Sequence, residues 1–306
     1  MQIKECKKNL NFIIFVRLRR EHRIENREIA MKSTNIPRLL GKLINAIVYI
    51  SPKLGARMAL NLFRYPLAGR IKNKHAKFLN NAKKHTLHFN KTKIQTYRWK
   101  GEGETILLMH GWQSNSSRWR SLIPKLQANN YNIISMDAPA HGNSGGVFFD
   151  AYQYALFLDK VVKHFEPKII VAHSIGGLTA LYYKSHFKSD GIAKIISLGA
   201  PNKLVDLTAF FTKLLGFSER TIKAYNREFI NFFEKDQTYY NTEDFVKKIT
   251  IKGLVIHDKN DQLNSYKDGV SIAENWEGAE LYTTQRLGHA LQSKEVYDVI
   301  LSELNK

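Results

Sequence analysis

The sequence is nearly without cysteine: Cys6 stands alone among 306 residues. That excludes a disulfide framework and any zinc site built on cysteine pairs, and it fits a reducing compartment. The 11 histidines are scattered, without the H-x-x-x-H spacing beside a carboxylate that a metallohydrolase uses. No metal is therefore expected. The Gly-Gly pairs at 145–146 and 176–177 belong to motifs of another kind, so no phosphate loop is present and no cofactor is expected. Long apolar runs are missing as well. The longest, Leu43–Ile50, falls far short of the roughly 20 residues of a membrane span and contains Asn45.

Acidic side chains are missing from one stretch. Residues 31–100 hold 16 Lys/Arg and no Asp or Glu, whereas residues 101–306 hold 23 of each sign. The net charge of +20 thus lies wholly in the first hundred residues. With no zinc finger, basic heptad helix or aromatic RNA-binding strand, this distribution argues for a catalytic body with a basic N-terminal piece. Nucleic acid is not an expected partner.

What is present is an ordinary globular balance, 43% hydrophobic and 11% aromatic, long enough to bury a core. Residues 1–30 differ in texture from the rest of the chain. Asn11–Val16 is a poor signal segment, followed at once by Arg-Leu-Arg-Arg, and Met31-Lys32-Ser33 reads as a natural start. Residues 1–30 are therefore expected to be a non-native or disordered extension. Residues 31–85 read as a basic, amphipathic helical segment, with Leu39, Leu40, Leu43, Ile44, Ile47 and Val48 at helical spacing. Two readings compete here: helices packed on the main domain, or an interfacial segment touching an anionic membrane surface. The chain is expected in the cytoplasm, and the second reading would place it at the inner face of the membrane.

From Thr86 onward, short apolar strands alternate with amphipathic helices, which predicts an α/β fold with a mostly parallel, doubly wound sheet over 86–306. Residues 202–248 interrupt this alternation with aromatic-rich helical pieces and are expected to form a cap. Most of those aromatics would hold the cap's own core, and one or two would line a substrate pocket.

The chemistry centres on Ala172-His173-Ser174-Ile175-Gly176-Gly177, between a predicted strand and a predicted helix. Small residues on either side of a serine at a sharp turn let strand and helix approach closely, and leave the serine at a helix N-terminus. Three further strings agree with it: His110-Gly111-Trp112, Asp137-Ala138-Pro139-Ala140-His141-Gly142-Asn143-Ser144, and His257–Asp261 followed by Leu287-Gly288-His289. Over roughly Thr86–Leu304 the chain resembles the α/β-hydrolase-fold serine hydrolases.

That resemblance implies a catalytic triad of Ser174, Asp261 and His289, in the family's order of nucleophile, acid and base. Asp258 competes for the acid but falls where the family has glycine. The resemblance also implies an oxyanion hole made by the backbone N–H groups of Trp112 and Ile175, with His110, Gly111 and Gly176 as structural parts of the motifs. Asp137 and His141 belong to a turn that is usually structural. Ala140 and Ala172 each replace a family glycine. The function implied is hydrolysis of a small-molecule or lipid carboxylic ester, or a thioester, by acyl transfer. The alternatives are an acyltransferase, or a membrane-associated or partner-binding protein whose hydrolase activity is incidental.

Overall fold

The computed structural model describes residues 36–71 and 73–306, and the extension expected over 1–30 lies outside the described residues. Along the chain come α1 (Ile36–Ile50), α2 (Pro52–Arg64), α3 (Asn73–Asn80), β1 (Lys83–Phe89), β2 (Thr92–Trp99) and β3 (Thr105–Met109). A 3₁₀ turn at Ser116–Ser121 leads to α4 (Ile123–Ala128), β4 (Asn132–Met136), α5 (Ala151–Phe165), β5 (Ile169–His173), α6 (Ile175–His186) and β6 (Lys194–Leu198). Next are α7 (Leu204–Leu215), α8 (Glu219–Phe233), α9 (Thr242–Val246), β7 (Lys252–Asp258), α10 (Tyr266–Asn275), β8 (Ala279–Thr284) and α11 (Lys294–Leu304). These elements group into two compact units, one built from residues 64–205 and 238–306, the other from the described residues 36–63 together with 206–237.

The first unit holds an eight-stranded sheet in the order β1-β2-β4-β3-β5-β6-β7-β8. β1, β2 and β4 pair antiparallel, and every pair from β4–β3 to β7–β8 is parallel. The mostly parallel α/β sheet is thus the observed architecture. β4, β5 and β6 are buried along their whole length, as strands covered on both faces must be. Ile106, Leu108, Ile133, Val171, Ile196 and Ile256 share one core with Trp119, Leu126 and Ile300. The alternate residues Leu107, Ile134, Ile170, Ile195 and Val255 are equally buried and face the other side. β1 begins at Lys83, ahead of the apolar pattern that marks it in the sequence, because an edge strand can pair its backbone while its side chains stay exposed.

Two helix starts show how local residues set the boundaries. Asp150 caps α5, its carboxylate accepting from the N–H of Gln153 at 2.7 Å, and Arg64 braces that carboxylate at 2.8 Å. Residues 116–128 form not one helix but the 3₁₀ turn, capped by Asn115, followed by α4 with Pro124 in its first turn. Proline has no N–H to donate, so it fits a helix start and breaks a helix interior.

The second unit is helical. Asn45 on α1 donates to the Gly216 carbonyl at 3.1 Å and accepts from the N–H of Ser218 at 3.0 Å, tying α1 to the α7–α8 connection. Arg57 on α2 pairs with the buried Glu228 on α8 at 3.1 Å. Phe63 meets Phe211 and Tyr225 edge-on, with centroids 5.1 and 6.3 Å apart. Gly41, Ile44, Val48, Ala56, Ala59 and Leu60 are buried, while Leu39, Leu43, Tyr49, Ile50, Leu54 and Met58 are exposed. The apolar residues of α1 thus divide between a packed side and an open one. Among the described residues no helix is long and apolar enough to cross a membrane.

The aromatics of 202–248 divide too. Phe211, Phe217, Tyr225 and Phe229 pack with the helical unit, and Phe210 and Phe232 are exposed. Tyr240 and Phe245 sit against Tyr182 of α6, with centroids 6.2 and 5.3 Å apart, in the sheet unit.

Candidate active site

Four loops leave the carboxyl ends of β3, β5, β7 and β8, and each delivers one of the residues singled out in the sequence. In open α/β sheets this edge is where ligands bind. Ser174 follows β5 with φ 56° and ψ −129°, a conformation that a residue with a side chain adopts only at some cost. Its N–H donates to the Leu198 carbonyl at 2.8 Å, which holds the turn to β6. Close approach makes the turn possible. A Cβ on Gly176 would lie 2.6 Å from the His110 carbonyl oxygen, and one on Gly111 would lie 2.8 Å from the Ser174 Cβ. The His110-Gly111-Trp112 turn is therefore pressed against the serine. Ile175 opens α6, so its N–H has no carbonyl inside the helix to bond.

His289 joins the serine to an acid. Its Nε2 lies 2.9 Å from Ser174 Oγ and its Nδ1 lies 2.7 Å from Asp261 Oδ2. A carboxylate only accepts, so Nδ1 carries the hydrogen and Nε2 is free to take a proton from the hydroxyl. The other oxygen of Asp261 accepts from the N–H groups of Leu263 and Asn264 at 2.8 and 3.0 Å. Burial pushes this carboxyl up. Hydrogen bonds from His257 and His289, the charge of His289 and the Asn264 N–H outweigh that and hold it well below the usual carboxylate range.

Asp258 does different work. Its carboxylate accepts from Thr284 Oγ1 at 2.8 Å and from the N–H groups of Leu287 and Asn260 at 3.0 and 2.8 Å. It fastens the loop that carries His289 and makes no contact with the ring. His257, one residue before the end of β7, has Nε2 3.1 Å from the Asn264 carbonyl and 3.5 Å from Asp261.

The turn after β4 is scaffolding. Buried Asp137 accepts from the N–H groups of Ser116 and Asn143 at 2.9 and 2.8 Å, and from the Tyr97 hydroxyl at 3.0 Å. His110 Nε2 accepts from the Ala138 N–H at 2.9 Å, so its Nδ1–H donates to the Gly111 carbonyl at 2.8 Å. His141 is fixed by the same logic, accepting from the Gln113 N–H at 3.0 Å and donating to the Pro139 carbonyl at 2.7 Å. Burial pulls His110 down to about 4 and His141 down to about 3, so both rings are neutral. Ala140 sits at φ 60°, the left-handed region where the family's glycine is unstrained.

Two residues escaped the sequence reading. His173, inside the serine motif, places Nε2 2.8 Å from the carbonyl of His289 and its ring centroid 4.8 Å from the His289 ring. Arg118, from the 3₁₀ turn, places Nη1 3.0 Å from His173 Nδ1 and Nη2 2.9 Å from the Ala290 carbonyl. His173 could have been suspected from its place in the motif. Nothing local in Ser-Ser-Arg-Trp-Arg signals that Arg118 is buried. No group of side chains able to hold a metal ion occurs among the described residues.

Comparison with known proteins agrees with the fold. A family model for the alpha/beta hydrolase fold matches residues 104–276, more than half of the chain. A probable serine hydrolase of Drosophila melanogaster is 30% identical over 111 residues, 33% of this chain and 33% of that protein. A pimeloyl-[acyl-carrier protein] methyl ester esterase of Vibrio cholerae is 26% identical over 141 residues, 41% of this chain and 52% of its own length. The chain thus aligns with a third to a half of these relatives. Among solved structures, a membrane phospholipase A superposes with a TM-score of 0.58 at 16% identity, covering 87% of this chain and 96% of that one. With the sheet order, the serine turn and the matched segment in agreement, the chain belongs to the α/β-hydrolase fold family.

Proposed function

We propose that this hydrolase is a serine esterase acting by acyl transfer. The observation that carries the reading is the continuous line from Ser174 Oγ through the His289 ring to Asp261, with spacings of 2.9 and 2.7 Å. Ser174 Oγ attacks the ester carbonyl carbon while its proton passes to His289 Nε2. Asp261 holds the ring tautomer and stabilises the imidazolium. The N–H groups of Trp112 and Ile175 receive the negative oxygen of the tetrahedral intermediate. The C–O bond to the alcohol breaks as the imidazolium protonates the leaving oxygen. Water, deprotonated by the same ring, then attacks the acyl-enzyme and releases the carboxylic acid. An alcohol or thiol taking the place of that water would make the same site an acyltransferase. The esterase relative supports the ester as substrate class. A fluorophosphonate probe tests the reading, because it labels only an activated serine: Ser174 is expected to carry the label, and an unlabelled wild-type protein overturns it.

The open side of α1 and α2 supports a second, independent reading. Exposed Leu39, Leu43, Ile50 and Leu54 stand among Arg38, Lys42 and Lys53, with no acidic residue from 36 to 100. We propose that this surface rests on anionic lipid, each basic residue near the bilayer contributing about 1 kcal/mol before screening. Full-length protein should sediment with anionic liposomes at low salt, and Leu43→Glu with Ile50→Glu should abolish this. Wild-type protein that stays in the supernatant excludes the reading.

A further inference from the structure

The catalytic histidine is held at both ends of its side chain, but its backbone also needs holding. The segment between β8 and α11 is a demanding path: Arg286, Gly288 and Leu291 have φ of 65°, 61° and 49°, and two of these carry side chains that disfavour the left-handed region. Asp258 fastens the front of this loop at Leu287, and the fully buried Leu291 anchors its rear. Between them, the peptide of His289 itself is tied to Arg118 and His173.

The direction of every bond in that tie is set by elementary chemistry. A guanidinium only donates, so His173 Nδ1 must accept from Arg118 Nη1. A neutral imidazole with an accepting Nδ1 carries its hydrogen on Nε2, which therefore donates to the His289 carbonyl at 2.8 Å. The second arm of the guanidinium donates to the neighbouring carbonyl of Ala290 at 2.9 Å. Two consecutive carbonyls at the catalytic histidine are thus held by one buried cation, directly and through one ring. The two arms of the Arg118 guanidinium go to a ring nitrogen and a carbonyl rather than to a carboxylate, and its Nε finds no acceptor. A buried charge left in that condition lowers stability, and such costs gather at functional sites.

We infer that Arg118 and His173 are positioning residues for catalysis: Arg118 fixes the tautomer of His173, and together they set the peptide of His289 so that its ring meets Ser174. This rests on the triad reading above, since only a reacting His289 needs such placement. Neither residue touches the reacting atoms. Their effect lies in kcat, because a misplacement of about 1 Å at a catalytic group costs on the order of 100-fold.

The substitutions separate a polar relay from mere filling of space. His173→Gln keeps an amide N–H to donate towards the His289 carbonyl and an oxygen to accept from Arg118. His173→Phe keeps the ring volume and loses both. Arg118→Met keeps the stem and frees the ring tautomer. With an activated short-chain ester, Phe and Met should each lower kcat about 10- to 100-fold with KM changed less than about threefold, and Gln should stay within about fivefold of wild type. The rate of fluorophosphonate labelling should fall in parallel with kcat. If Gln is as impaired as Phe, or Phe as active as wild type, the inference is wrong even though wild-type labelling at Ser174 upholds the triad. A readout that needs neither activity nor a variant comes from ¹⁵N-histidine NMR of the wild-type protein. His173 should appear as a neutral ring protonated only on Nε2, and a His173 protonated on Nδ1 overturns the relay outright. An unlabelled wild-type protein ends the triad reading, and with it the inference.

Discussion

Ser174 and Asp258 show how two polar residues of one site region come to have unlike fates. The serine occupies strained backbone that brings its hydroxyl to His289 Nε2, and the hydroxyl itself contributes little to packing. Ser174→Ala should leave the protein folded while turnover of an activated ester falls by about 10⁴ to 10⁶. Circular dichroism together with an esterase assay checks both halves of that statement, and activity within tenfold of wild type contradicts it. The two aspartates divide similarly. Asp261→Asn presents an amide to His289 Nδ1 and favours the wrong tautomer, so kcat should drop by about 10⁴. Asp258→Asn loosens the loop at Leu287 and Thr284, which should cost about 1–3 kcal/mol of stability and far less of the rate. Urea titration and kinetics of the two variants, side by side, distinguish them. Asp258→Asn proving the more harmful to kcat would reassign the acid.

Elements were legible where their signal is local. Each candidate catalytic string is a strand, a turn and the start of a helix within about ten residues, so its residue types alone announce the geometry. The short apolar runs within β3, β5 and β6 are equally plain. Three features were not. Lys83-Lys84-His85 pair with β2 through backbone while their side chains remain polar, so no pattern marks them. The burial of Arg118 depends on β5 and on the loop after β8, which lie far along the chain. The apolar spacing of α1 foretells a buried side without naming its partner, which is α7 and α8, also remote in sequence. Gly41 is where that partner approaches most closely, since a Cβ there would fall 1.7 Å from the Leu215 carbonyl oxygen. Backbone cannot yield as a flexible side chain does. Gly41→Ala should therefore destabilise the helical unit by several kcal/mol, in spite of alanine's better helix propensity by about 1 kcal/mol. A rise in thermal midpoint for this variant would refute the packing.

For the molecule as a whole, three neutral buried rings govern the response to acid. Burial is the leading cause in each case: it draws His110 down to about 4, His141 to about 3 and His173 well below its ordinary value. Unfolded, each titrates near 6.5. Between that value and the folded one, the unfolded chain binds more protons than the native protein, so stability falls as the pH is lowered. It is fully present above about 6.5 and declines by about 1.4 kcal/mol per pH unit for each ring still neutral in the fold. Three such rings predict a loss of roughly 4 kcal/mol per unit between pH 6 and pH 5, before the carboxylates titrate. Urea midpoints at pH 7, 6 and 5 would register this directly, and a flat series would mean that the rings are not buried neutral.

The helical unit carries one more consequence, concerned with synthesis. α1 and α2 leave the ribosome before the sheet, and the segment that covers them starts at residue 206, about 140 residues later, which at roughly 5–20 residues per second is some seven to thirty seconds. During that interval Ile44, Val48, Ala59 and Leu60 lack the 206–237 segment of their own unit. The nascent chain thus carries a sticky, cationic pair of helices while the first strands of the sheet are being made. It is then a natural client for a holding chaperone, and a stall in translation before the insertion emerges would leave it open to proteases.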